Sequence, residues 1–136
     1  MSYPVRSVRN RIQAEHTAIV EGIGHCADQV AAPWDTARTT DADRLVATLQ
    51  AGLTSTGLLD QLPLVLADVV DAVGFELQAQ PVPAPPYVVV TSRGPVLRAT
   101  IEPGRLVIRF DVFEVVRDPG PAYRRLDGVS LDVEIV

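Results

Sequence analysis

The stretch Pro95-Val-Leu-Arg-Ala-Thr-Ile-Glu-Pro-Gly-Arg-Leu-Val-Ile-Arg-Phe-Asp-Val-Phe-Glu-Val-Val116 alternates apolar and polar residues on both sides of one Pro-Gly pair. A period of two is typical of a β-strand with one buried face, and Pro and Gly favour tight turns. The pattern therefore predicts two antiparallel strands, Pro95–Glu102 and Arg105–Val116, joined by a turn at Pro103-Gly104.

Segments on either side extend this pair into a sheet. Tyr87–Ser92 is rich in valine and predicts a strand before the pair. After the pair, Ala122–Leu126 and Val129–Val136 flank Asp127-Gly128, a dipeptide that favours a two-residue hairpin. Residues 75–136 are therefore expected to form an antiparallel meander.

Residues 1–74 have the apolar spacing of helices. Apolar residues three, four and seven positions apart predict a first helix over Pro4–Ala31. A second helix is expected after Thr40 as its N-cap residue. A third is expected from Pro63, in its first turn, to Gly74, a favoured residue after a helix.

A proline-rich segment, Pro81–Pro86, with four prolines in six residues, joins the two parts. Just before it, Phe75–Ala79 alternates in polarity and predicts one more short strand. Each part offers one large apolar face, which it cannot bury alone. We therefore expect one domain over residues 1–136, an α+β two-layer sandwich with the N-terminal helices on one face of the sheet.

The charged residues indicate a compartment. All 12 basic residues are arginine and none is lysine, while 17 acidic residues give a net charge of −5. This composition suggests a GC-rich genome and a salt-rich cytoplasm, because acidic surfaces stay hydrated when salt screens charge. A GC-rich bacterium without salt adaptation is the alternative. The longest uncharged stretches, Leu45–Leu59 and Leu77–Ser92, are too short or too polar to span a bilayer, so a cytoplasmic protein is expected.

The alternation also predicts which side chains face outward from the sheet. Arg109 and Asp111 point away from the helices, and so do the apolar Val107 and Phe113. One interpretation is that arginine stems, the chain termini or the proline-rich segment cover these apolar groups. The other is that Val107, Arg109 and Phe113 form an interaction face for a protein partner or a second copy of the chain.

Residues with catalytic or metal-binding chemistry are few. The chain has two histidines and one cysteine, Cys26, and lacks phosphate-loop, dinucleotide-binding and nucleophile-elbow motifs. His25 and Asp28 form a His–carboxylate pair at suitable helical spacing, and a metal site needs more ligands than two. We therefore predict no catalytic residues, no metal and no cofactor, and interpret Cys26 as a small buried side chain.

Three functions remain open. The first is a non-enzymatic protein-interaction module. The second is a small-ligand-binding protein or enzyme with a pocket between helices and sheet, for which Tyr87, Arg98 and His16 are the candidate lining residues. The third is single-stranded nucleic-acid binding on an arginine-bearing sheet. The third is disfavoured, because residues 87–136 balance seven arginines with seven acids and the whole chain is acidic.

Two segments carry a family resemblance: Pro85-Pro-Tyr-Val-Val-Val-Thr-Ser-Arg-Gly-Pro-Val-Leu-Arg-Ala-Thr-Ile101 and Gly104-Arg-Leu-Val-Ile-Arg-Phe-Asp-Val-Phe-Glu-Val-Val-Arg-Asp-Pro-Gly-Pro-Ala-Tyr123. The chain resembles a family of small uncharacterised proteins from halophilic archaea, a domain of unknown function. That family has no assigned activity, so the resemblance implies no site residue. It implies a salt-rich cytoplasm and a single domain.

Overall fold

The computed structural model describes residues 3–136, so Met1 and Ser2 of the expected domain lie outside the described residues. The four helices are α1 (Tyr3–Glu15), α2 (Thr17–Ala31), α3 (Ala42–Ser55) and α4 (Leu58–Ala72). The strands are β1 (Arg38–Thr39), β2 (Val88–Val90), β3 (Pro95–Ile101), β4 (Gly104–Val116) and β5 (Ala122–Ile135). They form one antiparallel sheet in the order β1-β5-β4-β3-β2, with the helices packed against it. The predicted α+β architecture is confirmed.

The core fills the space between the helices and one face of the sheet. Each helix contributes its apolar stripe, and β3 and β4 contribute alternate side chains. The side chains with no exposed surface include Val8, Ile12, Ile23, Leu49, Leu53, Leu62, Leu66, Leu97, Leu106, Ile108 and Phe110. Burial of this set is the main favourable contribution to folding.

The predicted hairpin at Asp127-Gly128 is wrong. Residues 122–135 form one continuous strand, β5, that pairs with both ends of β4. A hairpin here would leave half of the 13-residue β4 without a neighbour on that side. Gly128 still uses the left-handed conformation (φ 84°) that the dipeptide favours, but it does so in a bulge.

This bulge also reverses the facing of one predicted outward residue. The register passes from Asp111 opposite Ser130 to Phe113 opposite Arg125, so Val112 alone faces residues 126–129. Val112 and Phe113 consequently both point into the core, with 0% and 1% of their surface exposed. The expectation that Phe113 faces outward is therefore wrong.

The helix boundaries differ from the expected ones at three places. The Pro4–Ala31 helix is broken at His16 (φ −124°, ψ 27°), which separates α1 from α2. The N-cap of α3 is Asp41, not Thr40, because the Asp41 carboxylate accepts a hydrogen bond from the Arg44 amide (3.0 Å). α4 begins directly after Gly57 and not at Pro63, since the left-handed conformation of Gly57 (φ 79°) turns the chain sharply within one residue.

Two short segments also differ from expectation. Phe75–Ala79 is not a strand and runs as irregular chain after α4. Conversely, Arg38–Thr39 in the α2–α3 connection pairs with Arg124 and Tyr123 and forms an edge strand that the sequence pattern did not indicate. Within residues 3–136, no single helix is long and apolar enough to cross a membrane. α3 and α4 meet that length and composition only as a pair bent by 81°.

Candidate functional site

The sheet face opposite the helices, here called the outer face, carries mainly charged side chains. The register places on it Val89, Val96, Arg98, Thr100, Arg105, Val107, Arg109, Asp111, Asp132 and Glu134. Val107 lies between Arg98 on β3 and Glu134 on β5 and is only 5% exposed. Of the predicted interaction face, Val107 is therefore covered, Phe113 lies in the core, and Arg109 remains as a half-buried charge.

Carboxylates on β5 hold Arg109 in place. Its Nη1 donates to Glu134 Oε1 (2.7 Å) and Asp132 Oδ2 (3.2 Å). The hydrogen bond to Glu134 raises the pKa of Arg109 above its ordinary value, so the guanidinium stays charged. Near the other end of β5, Arg124 pairs with Glu114. The β5 side of the outer face is therefore rich in carboxylates that already have partners.

The β3 side has the opposite character. Among residues 3–136, Arg98 and Arg105 have no carboxylate within 4.0 Å. They line a cavity of about 210 Å³ with Tyr87 and residues 77–79, and the Arg98 amide donates to the Tyr87 carbonyl (2.9 Å). Two of the three predicted ligand-binding residues, Tyr87 and Arg98, are thus neighbours, and Arg105 joins them as a residue that sequence reasoning missed.

One carboxylate near the centre of the outer face is half-buried. Burial raises the pKa of Asp111 above its ordinary value, while the positive charges of Arg93 and Arg109 oppose that shift. The nearby Asp132 carboxylate adds to the increase. A carboxylate that loses water without gaining a close cation is costly to keep ionised, and this makes Asp111 receptive to an incoming positive group.

His16, the third predicted ligand-binding residue, lies elsewhere, at the α1–α2 break. Its Nε2 is 2.6 Å from Asp68 Oδ2 on α4, and Arg11 donates to both oxygens of the same carboxylate (3.0 and 2.9 Å). The Arg11 hydrogen bonds, helped by His16, lower the pKa of Asp68 to about 2. This cluster ties α1 and the α1–α2 break to α4, and its carboxylate is already fully engaged.

A second and larger cavity opens where the α2–α3 connection meets the β4–β5 loop. Its volume is about 960 Å³, and it is lined by Trp34, Arg38, Arg44 and several threonines. Sequence reasoning missed this cleft. The available signal was the single tryptophan of the chain, placed in a polar connection just after Pro33 and before the threonine-rich run to Thr40.

The remaining residues with reactive side chains line an apolar groove between α2 and α3. It is lined by small residues and by His25 and Cys26, whose side chain is 6% exposed. The Cys26 Sγ lies 3.8 Å from Thr56 Oγ1. In the part of the chain described here, no group of three or more His, Cys, Asp or Glu side chains could hold a metal ion.

These features define an α+β protein of four helices and five strands, with a charged open sheet face and a polar cleft at one end of the sandwich. The chain belongs to the domain of unknown function DUF7988, whose family model matches residues 6–136. Neither the curated proteins nor the solved structures contain a significant match to it.

Proposed function

We propose that this protein is a non-enzymatic interaction module that docks a protein partner on its outer sheet face. One observation carries the proposal: on the outer face, β3 and the start of β4 carry arginines that have no carboxylate within 4.0 Å among residues 3–136, whereas β5 carries carboxylates. Arg98 and Arg105 form the cationic side, and Asp132 and Glu134 form the anionic side. Among the exposed large apolar side chains of residues 3–136, Val136 pairs with Arg105 at the end of this face, and charged side chains outnumber apolar ones on it.

A second copy of the chain is the partner whose charges fit this face. A two-fold axis between two outer faces, parallel to β4, lays β3 of one copy over β5 of the other. By the strand register, the symmetry then places Arg98 on β3 of each copy level with Glu134 on β5 of the other, whereas Arg105, on β4, lies near the axis. Complementary potentials of this kind set the register and specificity of an interface.

Exchange of charges between the two sides tests this arrangement. Arg98→Glu and Glu134→Arg should each abolish the dimer, because each homodimer would then oppose like charges. An equimolar mixture should restore a heterodimer, since both of its symmetry-related pairs are again complementary. Glu134 is chosen for the reversal because the register places it level with Arg98, and Arg109 keeps Asp132 as a partner (3.2 Å). Sedimentation equilibrium over a wide concentration range measures all three samples.

Arg44→Glu is the matched control, because Arg44 is an exposed arginine on α3, in the helical layer. It should sediment as the wild type does. A wild-type chain that stays monomeric at every concentration would contradict the proposed dimer, and so would a mixture that fails to reassociate.

We further propose a salt-rich cytoplasm as the compartment, supported by the absence of lysine and the net charge of −5. At ~1 M salt the screening length is about 3 Å, so exposed pairs weaken while desolvated pairs persist. Dimerisation should accordingly weaken between low and molar salt without disappearing. Complete loss of the dimer in molar salt would argue against operation of this interface in such a compartment.

A further inference from the structure

The 960 Å³ cleft is built by three segments that meet at one end of the sandwich. α3 contributes one face of its first two turns, with Asp41, Arg44, Leu45 and Thr48 at the spacing that aligns helical side chains. The α2–α3 connection contributes the wall from Pro33 to Thr40, and the β4–β5 loop contributes residues 119–122. A cavity of this volume can hold a small organic molecule.

Trp34 supplies a flat apolar surface in this cleft. Its ring packs against Phe113 of the core, with the ring centroids 5.8 Å apart and the planes 37° apart. Trp34 is nevertheless half-buried, so part of the indole remains open to the cleft. Its position is fixed by the core, which suits it to stack against a planar ring at low entropic cost.

The guanidinium groups of Arg38 and Arg44 both line this cleft. Arg38 Nη1 donates to the Asp118 carbonyl (3.0 Å), which orients the side chain. Within residues 3–136, neither Arg38 nor Arg44 has a carboxylate within 4.0 Å. Asp41 also lines the cleft, but one of its oxygens caps the α3 amide of Arg44. Guanidinium groups are the side chains best suited to grip phosphate oxygens.

Hydroxyl and carboxylate groups complete the lining. Thr36, Thr39, Thr40 and Thr48 offer donors and acceptors, and Asp35 is an exposed carboxylate on the same wall. A carboxylate of this kind accepts hydrogen bonds from ribose hydroxyls in nucleotide sites. The cleft thus combines a stacking surface, phosphate-binding groups and sugar-binding groups.

We propose that this cleft binds a nucleoside monophosphate. The base stacks on Trp34, the phosphate lies between Arg38 and Arg44, and the ribose hydroxyls face Asp35 and the threonines. This site is separate from the outer sheet face and goes beyond the docking function proposed for that face.

Tryptophan fluorescence gives a specific test, because Trp34 is the one tryptophan in the chain and it lies in the cleft. The full chain is titrated with adenosine monophosphate, with adenosine and with inorganic phosphate. We expect the nucleotide to quench the fluorescence saturably. Its affinity should be at least ~10-fold higher than that of adenosine or of inorganic phosphate, because stacking and phosphate contacts act together.

Arg44→Ala should weaken nucleotide binding by roughly tenfold or more, because it removes a charge-assisted hydrogen bond to phosphate. Arg6→Ala is the matched control, since Arg6 is an exposed arginine on α1 that lies on neither the cleft nor the outer face, and it should bind as the wild type does. Equal affinity for nucleotide and adenosine would overturn the proposal. So would an Arg44→Ala chain that binds normally, or a wild-type titration without saturable quenching.

Discussion

The guanidinium of Arg125 on β5 donates to the backbone carbonyl of Gly24 on α2 (3.1 Å) and so joins the sheet to the helical layer. The side chain is only 16% exposed. Its other acceptors are the carbonyls of Val112, Leu126 and Gly128 and the carboxylate of Asp28. Arg125 therefore satisfies carbonyl oxygens that the bulge removes from the β4–β5 ladder.

Replacement of Arg125 by alanine should cost about 2–4 kcal/mol of unfolding free energy, because several carbonyl acceptors would lose their donor together. Arg125→Lys should recover only part of this unfolding free energy, because one ammonium group cannot make the several hydrogen bonds of a guanidinium. Denaturant unfolding measures the change. Arg124→Ala is the control at the next residue. Its exposed ion pair with Glu114 should be worth less than about 1 kcal/mol, and equal costs at the two positions would contradict the bulge-stabilising role.

Phe113 should behave as a core residue. Phe113→Ala is expected to reduce the unfolding free energy by about 3–5 kcal/mol, because it empties a fully buried volume next to Trp34. The fluorescence of Trp34 should change in the folded variant, since its packing partner is gone. Val107→Ala, on the outer face, should cost clearly less, as Val107 lies outside the core cluster. A stable Phe113→Ala protein would mean that Phe113 faces outward after all.

The different positions of Phe113 and Val107 show which side-chain orientations the sequence could predict. Strict alternation predicted correctly that Leu106, Ile108 and Phe110 face the helices. The alternation predicted the wrong facing for Phe113, directly after Val112, because a bulge changes the facing of every later residue without changing composition. Asp127-Gly128 could not reveal this, since a left-handed glycine serves a hairpin and a bulge equally well.

The candidate sites could likewise be predicted only in part from the sequence. Tyr87 and Arg98 share a cavity because β2 and β3 are adjacent antiparallel strands, a pairing that the strand pattern predicts. The cleft around Trp34 combines the α2–α3 connection with a loop about 80 residues later in the chain. That contact depends on the two-residue edge strand β1, which is too short to give a periodic signal.

The Asp68 cluster should make the protein sensitive to acid. Its pKa of about 2 in the folded chain lies below the ordinary value of 3.8. A carboxylate with a lowered pKa stabilises the fold fully above the unfolded value and loses that contribution as the pH falls through the folded value. Asp68→Asn should therefore reduce stability near neutral pH by about 1 kcal/mol, a modest figure because the side chain is 31% exposed.

The difference between wild type and Asp68→Asn should shrink as the pH falls from ~4 towards ~2, because the wild-type carboxylate then takes up its proton. Thermal unfolding at a series of pH values measures it. Asp60→Asn, an exposed position in the first turn of the same helix, serves as the control. A constant difference across that range would show that Asp68 acts through packing and not through charge.

Asp111 should show the opposite dependence. Because burial raises its pKa, ionisation costs folding free energy once the pH exceeds the unfolded value, and the full cost is present at neutral pH. Asp111→Asn keeps the shape and removes the charge, so it should stabilise the protein by about 0.5 kcal/mol near pH 7 and leave it unchanged at low pH. Denaturant unfolding at both pH values measures the effect. Loss of stability at neutral pH would mean that the attraction of Arg93 and Arg109 outweighs the desolvation of the carboxylate.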